Sequence, residues 1–89
     1  MITLKQTCGA CPEQYDGYDA DGNKVAYLRL RWGHFYAECL GVTVYQANTN
    51  GDGLFEENER HKHLSLAVSA IEEYLASGEQ EYPQNYTIE

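Results

Sequence analysis

The residues in this sequence with the greatest capacity for chemistry are three cysteines and three histidines. Cys8 and Cys11 are separated by two residues, and this spacing is typical of a metal-binding turn. Cys39 lies just before Gly41, which indicates a second turn. Together with one histidine, the cysteines could form a zinc site of three sulfur ligands and one nitrogen ligand. The candidate histidines are His34, His61 and His63. The alternative is that Cys8 and Cys11 pack at the sheet margin and Cys39 lies in the core.

A polar loop of sequence NTNGDGLFEENE covers residues 48–59. Carboxylate and amide oxygens suit a hard cation, and Gly53 supplies the sharp bend that such a loop requires. The oxygen donors at loop positions 1, 3, 5 and 12 are Asn48, Asn50, Asp52 and Glu59. In this spacing the loop resembles the calcium loop of the EF-hand family, which implies a calcium site with these four ligands. The alternative is a polar connection in which Asp52 or Asn50 caps helix amides.

A strand predicted for residues 24–32 has aromatic and basic side chains on one face. That face contains Tyr27, Arg29 and Arg31. The opposite face contains Leu28, Leu30 and Trp32, which we expect to be buried. Tyr36 and Tyr45 are expected beside Tyr27 on neighbouring strands. Because tyrosine and arginine are enriched at interface hot spots, this face is a candidate surface for a protein partner. The alternative is ordinary cross-strand pairing.

Acidic residues form a second candidate surface for a partner. The chain has 14 Asp and Glu against 6 Lys and Arg, a formal net charge of −8. The acids that we expect to take part are Glu13, Asp16, Asp19, Asp21, Glu56 and Glu57. Spaced carboxylates on a small rigid body can imitate a phosphate backbone and so occupy the groove of a nucleic-acid-binding protein. In size and charge the chain resembles small acidic inhibitors of phages and mobile elements, including anti-CRISPR and anti-restriction proteins. The alternative is that the acidity only maintains solubility.

Composition excludes several other classes of function. The negative charge disfavours direct binding of nucleic acid and of anionic membranes. The residues that follow Met1 do not have the charged-then-apolar pattern of a leader, and no apolar run approaches the roughly 18 residues of a membrane span, so we expect a cytoplasmic protein. Three cysteines argue against a disulfide framework. No serine, cysteine or histidine lies in a recognisable nucleophile motif, which predicts a protein that is not an enzyme.

Short alternating segments and one helix must position these residues. The segments are separated by tight turns, which predicts an antiparallel meander of about four strands. Apolar residues at helical spacing predict one C-terminal helix packed on one face of the sheet, with Gly78 just past its end. These residues are Leu64, Ala67, Val68, Ile71 and Leu75. We therefore expect one α+β domain over residues 1–78, followed by an acidic tail over residues 79–89.

The resulting hypothesis is a small, non-catalytic binding protein without a cofactor. Its partner would be a protein with a basic surface, which it would inhibit. The alternative hypothesis is a module stabilised by Ca²⁺ in the loop of residues 48–59, or by Zn²⁺ at the cysteines. Self-association as a homodimer through an exposed sheet edge is open at this stage.

Overall fold

The computed structural model describes residues 1–8, 12–78 and 87–88. These residues form five strands and one helix, which are β1 (Thr3–Cys8), β2 (Glu13–Tyr18), β3 (Lys24–Arg31), β4 (His34–Cys39), β5 (Val42–Asn48) and α1 (Glu57–Gly78). The strands form one sheet in chain order, and each strand is antiparallel to the next. The predicted α+β architecture is confirmed, with five strands instead of about four. The predicted acidic tail lies outside the described residues, except for Thr87 and Ile88.

Two very short turns explain why the sheet is a meander. Trp32 and Gly33 join β3 to β4, with φ angles of 58° and 68°. Leu40 and Gly41 join β4 to β5, with φ angles of 52° and 84°. Positive φ at both central residues defines the two-residue turn whose twist matches that of the flanking strands. Because the turn begins at Trp32, this side chain leaves the strand and is 75% exposed. The prediction that Trp32 belongs to the buried face is therefore wrong.

The core lies between one face of the sheet and α1. Side chains that are completely buried come from alternate positions of β3 and β4 and from one side of the helix. They are Leu28, Leu30, Phe35, Ala37, Cys39, Ala67 and Ile71. The helix packs mainly on β4 and β5. Burial of each large apolar side chain contributes about 1.5–3 kcal/mol, so the apolar alternation of these strands is the main source of stability.

The helix α1 ends one residue later than the sequence indicated. It includes Gly78, which the sequence placed just past its C-terminus. Within the described ranges, no helix combines the length and the apolar character that crossing a membrane requires.

The described elements leave the other face of the sheet uncovered. The strand register places Gln14, Arg29 and Tyr36 side by side across this face, and Asp16, Tyr27 and Glu38 side by side in the next row. We call this surface the open face. It consists of Lys5, Gln14, Asp16, Lys24, Tyr27, Arg29, Arg31, Tyr36 and Glu38.

Candidate functional site

A buried carboxylate attaches the helix and its preceding loop to the sheet. Glu13, the first residue of β2, is 1% exposed. Its carboxylate accepts hydrogen bonds from the Tyr15 hydroxyl (2.5 Å), the Phe55 amide (3.0 Å) and Nε and Nη2 of Arg60 (3.0 and 3.2 Å). The prediction that Glu13 contacts a partner is therefore wrong. Strand alternation turns this carboxylate inward, where Arg60 neutralises it.

The ionisation of this cluster follows from its contacts. Burial raises the pKa of Glu13, but hydrogen bonds from Arg60, Tyr15 and the Phe55 amide outweigh burial, and the pKa lies below the ordinary value of 4.5. Burial and the hydrogen bond to Glu13 raise the pKa of Tyr15 to about 12. Hydrogen bonds to Glu13 and Glu57 raise the pKa of Arg60. The Glu13–Arg60 pair is thus ionised, and its role is structural.

A second carboxylate closes the loop from within. Glu59 Oε1 accepts a hydrogen bond from the Asn50 amide (2.9 Å), and Oε2 accepts from the amides of Gly51 and Glu56 (2.8 and 2.9 Å). Burial raises the pKa of Glu59, but these backbone hydrogen bonds outweigh it, so the pKa lies below its ordinary value. A Cβ at Gly51 would lie 1.8 Å from the Leu54 carbonyl oxygen, so the backbone approaches itself closely at Gly51 and requires glycine there.

The structure brings three of the four predicted calcium ligands to one cavity. This cavity of about 310 Å³ is lined by Asn48, Asn50, Asn58, Glu59, Lys62 and His63. The fourth predicted ligand, Asp52, lines a different cleft. Both oxygens of Glu59 already accept hydrogen bonds from backbone amides, and Lys62 adds a positive charge to the cavity lining. The arrangement therefore matches a loop capped by Glu59 better than a calcium site. In the described part of the chain, no three His, Cys, Asp or Glu side chains are grouped to hold a metal ion.

The structure does not bring the described cysteines together. Cys8 lies on β1 and Cys39 on β4, three strand spacings apart in the sheet, and both are free. Cys39 is buried in the core, and burial raises the pKa of its thiol. Cys11, the remaining predicted zinc ligand, lies outside the described residues. Of the candidate histidines, His34 lies 3.5 Å from the Asn48 side chain, and His63, a residue of α1, is buried on the side of the helix that faces the sheet.

Tyr45 lies on the helix side of the sheet. It pairs with Ala37, which is completely buried, and its hydroxyl lies 2.8 Å from Nδ1 of His63. The ring of Tyr45 also makes an edge contact with Phe35. The prediction that Tyr45 lies beside Tyr27 is therefore wrong. The pairing of β4 with β5 shifts by a bulge between Ala37 and Glu38. Alternation along the sequence therefore did not show which face of the sheet carries Tyr45.

The remaining predicted acids do not form one continuous array. Asp16 pairs with Lys24 on the open face at 3.2 Å. Asp19 accepts hydrogen bonds from the amides of Asp21 and Asn23 and so stabilises the β2–β3 turn. These hydrogen bonds, that from Asn23 above all, lower the pKa of Asp19. Asp21 is exposed in the same turn. Glu56 and Glu57 are exposed near the start of α1, at the other end of the sheet, where Glu57 pairs with Arg60.

The open face contains four of the six basic residues in the chain, Lys5, Lys24, Arg29 and Arg31. Arg29 lies at its centre between Gln14 and Tyr36. Its Nε atom is buried and has no hydrogen-bond partner. The rings of Tyr27 and Tyr36 lie beside one another, with centroids 6.3 Å apart. The structure thus places the predicted Tyr27, Arg29, Arg31 and Tyr36 on one surface.

Trp32 extends this surface at the β3–β4 turn. The Arg31 guanidinium lies 5.2 Å from the centre of the Trp32 ring. A cleft of about 250 Å³, the tip cleft, is lined by Pro12, Arg31, Trp32, Asp52 and Gly53. The Gly33 amide donates to the Asp52 carbonyl (2.7 Å), and the Thr49 amide donates to the Gly33 carbonyl (2.8 Å). These bonds hold the Trp32 turn against the loop.

Sequence reasoning missed Trp32 as a surface residue. The signal that could have found it is Gly33, because a glycine between two alternating segments is typical of the second position of a two-residue hairpin turn, which places Trp32 at the first. Comparisons with protein-family models, with curated proteins and with solved structures found no match to this chain.

Proposed function

We propose that this chain is a non-catalytic binding protein that recognises another protein through the open face and Trp32. The observation that carries the proposal is the grouping of Tyr27, Arg29, Arg31, Trp32 and Tyr36 on one uncovered surface. Tryptophan, tyrosine and arginine are the residue types that contribute most to binding at protein interfaces. The grouping is contiguous, because β3 supplies three of these residues, the adjoining turn supplies Trp32 and β4 supplies Tyr36.

The conformation of Trp32 supports the same proposal. A bulky residue with φ of 58° is strained, and asparagine or glycine would adopt this turn at lower cost. An exposed tryptophan at such a position stabilises neither the turn nor the core. Backbone outliers of this kind concentrate at functional positions, and binding is a function that accounts for an exposed aromatic ring here.

A second candidate function keeps the basic protein partner and the inhibitory role inferred from composition. The observation that favours it is the number of exposed acids outside the open face, which are Asp21, Asp52, Glu56, Glu57, Glu72 and Glu73. In the described chain, the basic residues outside the open face are Lys62 and Arg60, and Arg60 is paired with Glu13. Such a surface attracts positively charged partners.

One experiment distinguishes the two candidates. Tagged wild-type protein and two variants are used to co-purify proteins from the source organism, and each co-purified protein is quantified. The first variant, Trp32→Asn with Tyr36→Ala, removes two aromatic rings from the proposed surface. The second, Asp21→Asn with Glu56→Gln, removes two exposed charges outside that surface. Partners that the first variant loses and the second retains support the proposed function. Basic partners that only the second variant loses refute it and support the second candidate.

A further inference from the structure

We propose that the open face binds an acidic, extended segment of a partner protein, at the half of the face that adjoins Trp32. The inference rests on the proposed function, because it names the partner class for the same surface. Its basis is the distribution of charge on the sheet and the unpaired state of two arginines.

The half of the open face farther from Trp32 is electrically mixed. Asp16 and Glu38 lie on either side of Tyr27 in the strand register. Lys24 pairs with Asp16 at 3.2 Å, and its ammonium lies 6.0 Å from the centre of the Tyr27 ring. Positive and negative charges there largely offset each other, so this half offers little attraction to a charged ligand.

In the half next to Trp32, the described strand rows contain two positive charges and no carboxylate, and Asp52 lies outside these rows, across the tip cleft from Arg31. Arg29 lies between Gln14 and Tyr36, and Arg31 lies opposite His34. None of these neighbours on β2 and β4 has a carboxylate. This half is positive within a chain whose net charge is −8, which indicates a partner segment of opposite sign.

Both arginines lack a carboxylate partner among the described residues. Arg31 does not pair with Asp52, although both line the tip cleft. Arg29 has, in addition, a buried Nε atom without an acceptor, which is costly in the free protein. A partner carboxylate would neutralise a guanidinium whose solvation is already reduced, and arginine forms paired hydrogen bonds with carboxylates.

The spacing of the arginines specifies the shape of the segment. Arg29 and Arg31 are two residues apart on β3, so their Cα atoms are about 7 Å apart on one face of the strand. Alternate side chains of an extended peptide have the same repeat. A segment with acidic residues at positions i and i+2 can therefore pair with both arginines. An apolar residue at position i+4, on the same side of the segment, would lie near the ring of Trp32, beside the tip cleft.

The geometry of the tyrosines favours a protein segment over single-stranded nucleic acid. The planes of Tyr27 and Tyr36 are inclined at 60° to each other, and the Tyr27 hydroxyl donates a hydrogen bond to Gln14 at 2.7 Å. Stacking of successive bases requires exposed ring faces along the path of the strand. A long polyanion would also meet the exposed acids around the sheet, whereas a short acidic segment contacts only the arginine half.

The test uses a fluorescein-labelled peptide of sequence GSEGEGLS, in which the leucine lies on the same side as the two acids, and a matched control, GSQGQGLS, with fluorescence polarisation at low salt. We expect the acidic peptide to bind at least about tenfold more tightly than the control, because the control cannot form charged hydrogen bonds with the two arginines. Arg31→Glu should weaken binding about tenfold or more. Lys62→Glu makes the same charge change on α1, at an exposed position, and should change affinity less than about twofold. Circular dichroism checks that both variants fold.

The outcomes separate this inference from the proposed function. If the two peptides bind with equal affinity, or if Arg31→Glu and Lys62→Glu lower the affinity equally, the proposal of an acidic segment is refuted. Tighter binding of an oligothymidylate probe than of the acidic peptide, lost in Arg31→Glu, overturns it in favour of nucleic acid. In either case, co-purified proteins that depend on Trp32 and Tyr36 would still support a protein-binding open face. If the Trp32→Asn, Tyr36→Ala variant co-purifies the same proteins as the wild type, the proposed function itself is refuted.

Discussion

The most informative perturbation of the fold is Glu13→Gln, because it removes a buried charge and preserves the size of the side chain. The carboxylate accepts four hydrogen bonds, two on each oxygen, from Tyr15, Phe55 and Arg60. A glutamine has one acceptor oxygen, so one pair of donors faces an amide nitrogen, and Arg60 loses its buried counter-charge. Breaking a buried ion pair costs about 3–5 kcal/mol. A chain of 89 residues has a total stability of about 4–13 kcal/mol, so much of it should be lost.

Urea denaturation followed by far-ultraviolet circular dichroism measures this loss. The matched control is Glu57→Gln, which removes the other carboxylate of Arg60. That side chain is 92% exposed, and exposed ion pairs contribute little, so the unfolding midpoint should scarcely move. If Glu13→Gln and Glu57→Gln lower the free energy of unfolding equally, then burial does not decide the strength of this pair, and the structural role assigned to Glu13 is wrong.

Three further predictions concern pH, the turn and metal ions. The folded-state pKa values of Glu13 and Glu59 lie below the ordinary 4.5, so their contribution to stability is complete above that value and is lost as pH falls through the folded values. The urea midpoint should fall between about pH 5 and about pH 3, and a constant midpoint would contradict this. Trp32→Asn should raise the free energy of unfolding by about 1 kcal/mol in urea denaturation, because asparagine tolerates the left-handed turn; a loss of stability would show that the ring packs favourably. Melting curves with Ca²⁺ and with chelator should coincide, and a rise with Ca²⁺ would support the EF-hand-like loop.

Local patterns in the sequence were sufficient to predict the sheet and the helix. The alternation through Leu28 and Leu30 identified both the strand and its buried face, since neighbouring side chains point to opposite sides. The same alternation failed at Trp32, because periodicity does not indicate where a strand stops. Glycine at the following position carries that information, and the positive φ angles of the two turn residues explain the break.

The polar contacts could not be predicted, because they join distant parts of the chain. Glu13 and Arg60 are 47 residues apart, and nothing near either residue identifies the other as its partner. The sequence did single out Glu59 as a carboxylate that organises the loop. It could not distinguish a cation from backbone amides as the group bound, because both favour the same acceptor oxygens. Tyr45 was misplaced because a β-bulge shifts the register without a mark in the sequence.

The most direct test of the open face as the binding surface is photo-crosslinking in the source organism. A photoreactive phenylalanine analogue is placed at Tyr36, on the open face, or at Leu66, which is 45% exposed on the helix. We predict crosslinks to a protein partner from position 36 and none to that partner from position 66. Crosslinks from position 66 alone would contradict the account, because the partner would then contact the helix and not the sheet.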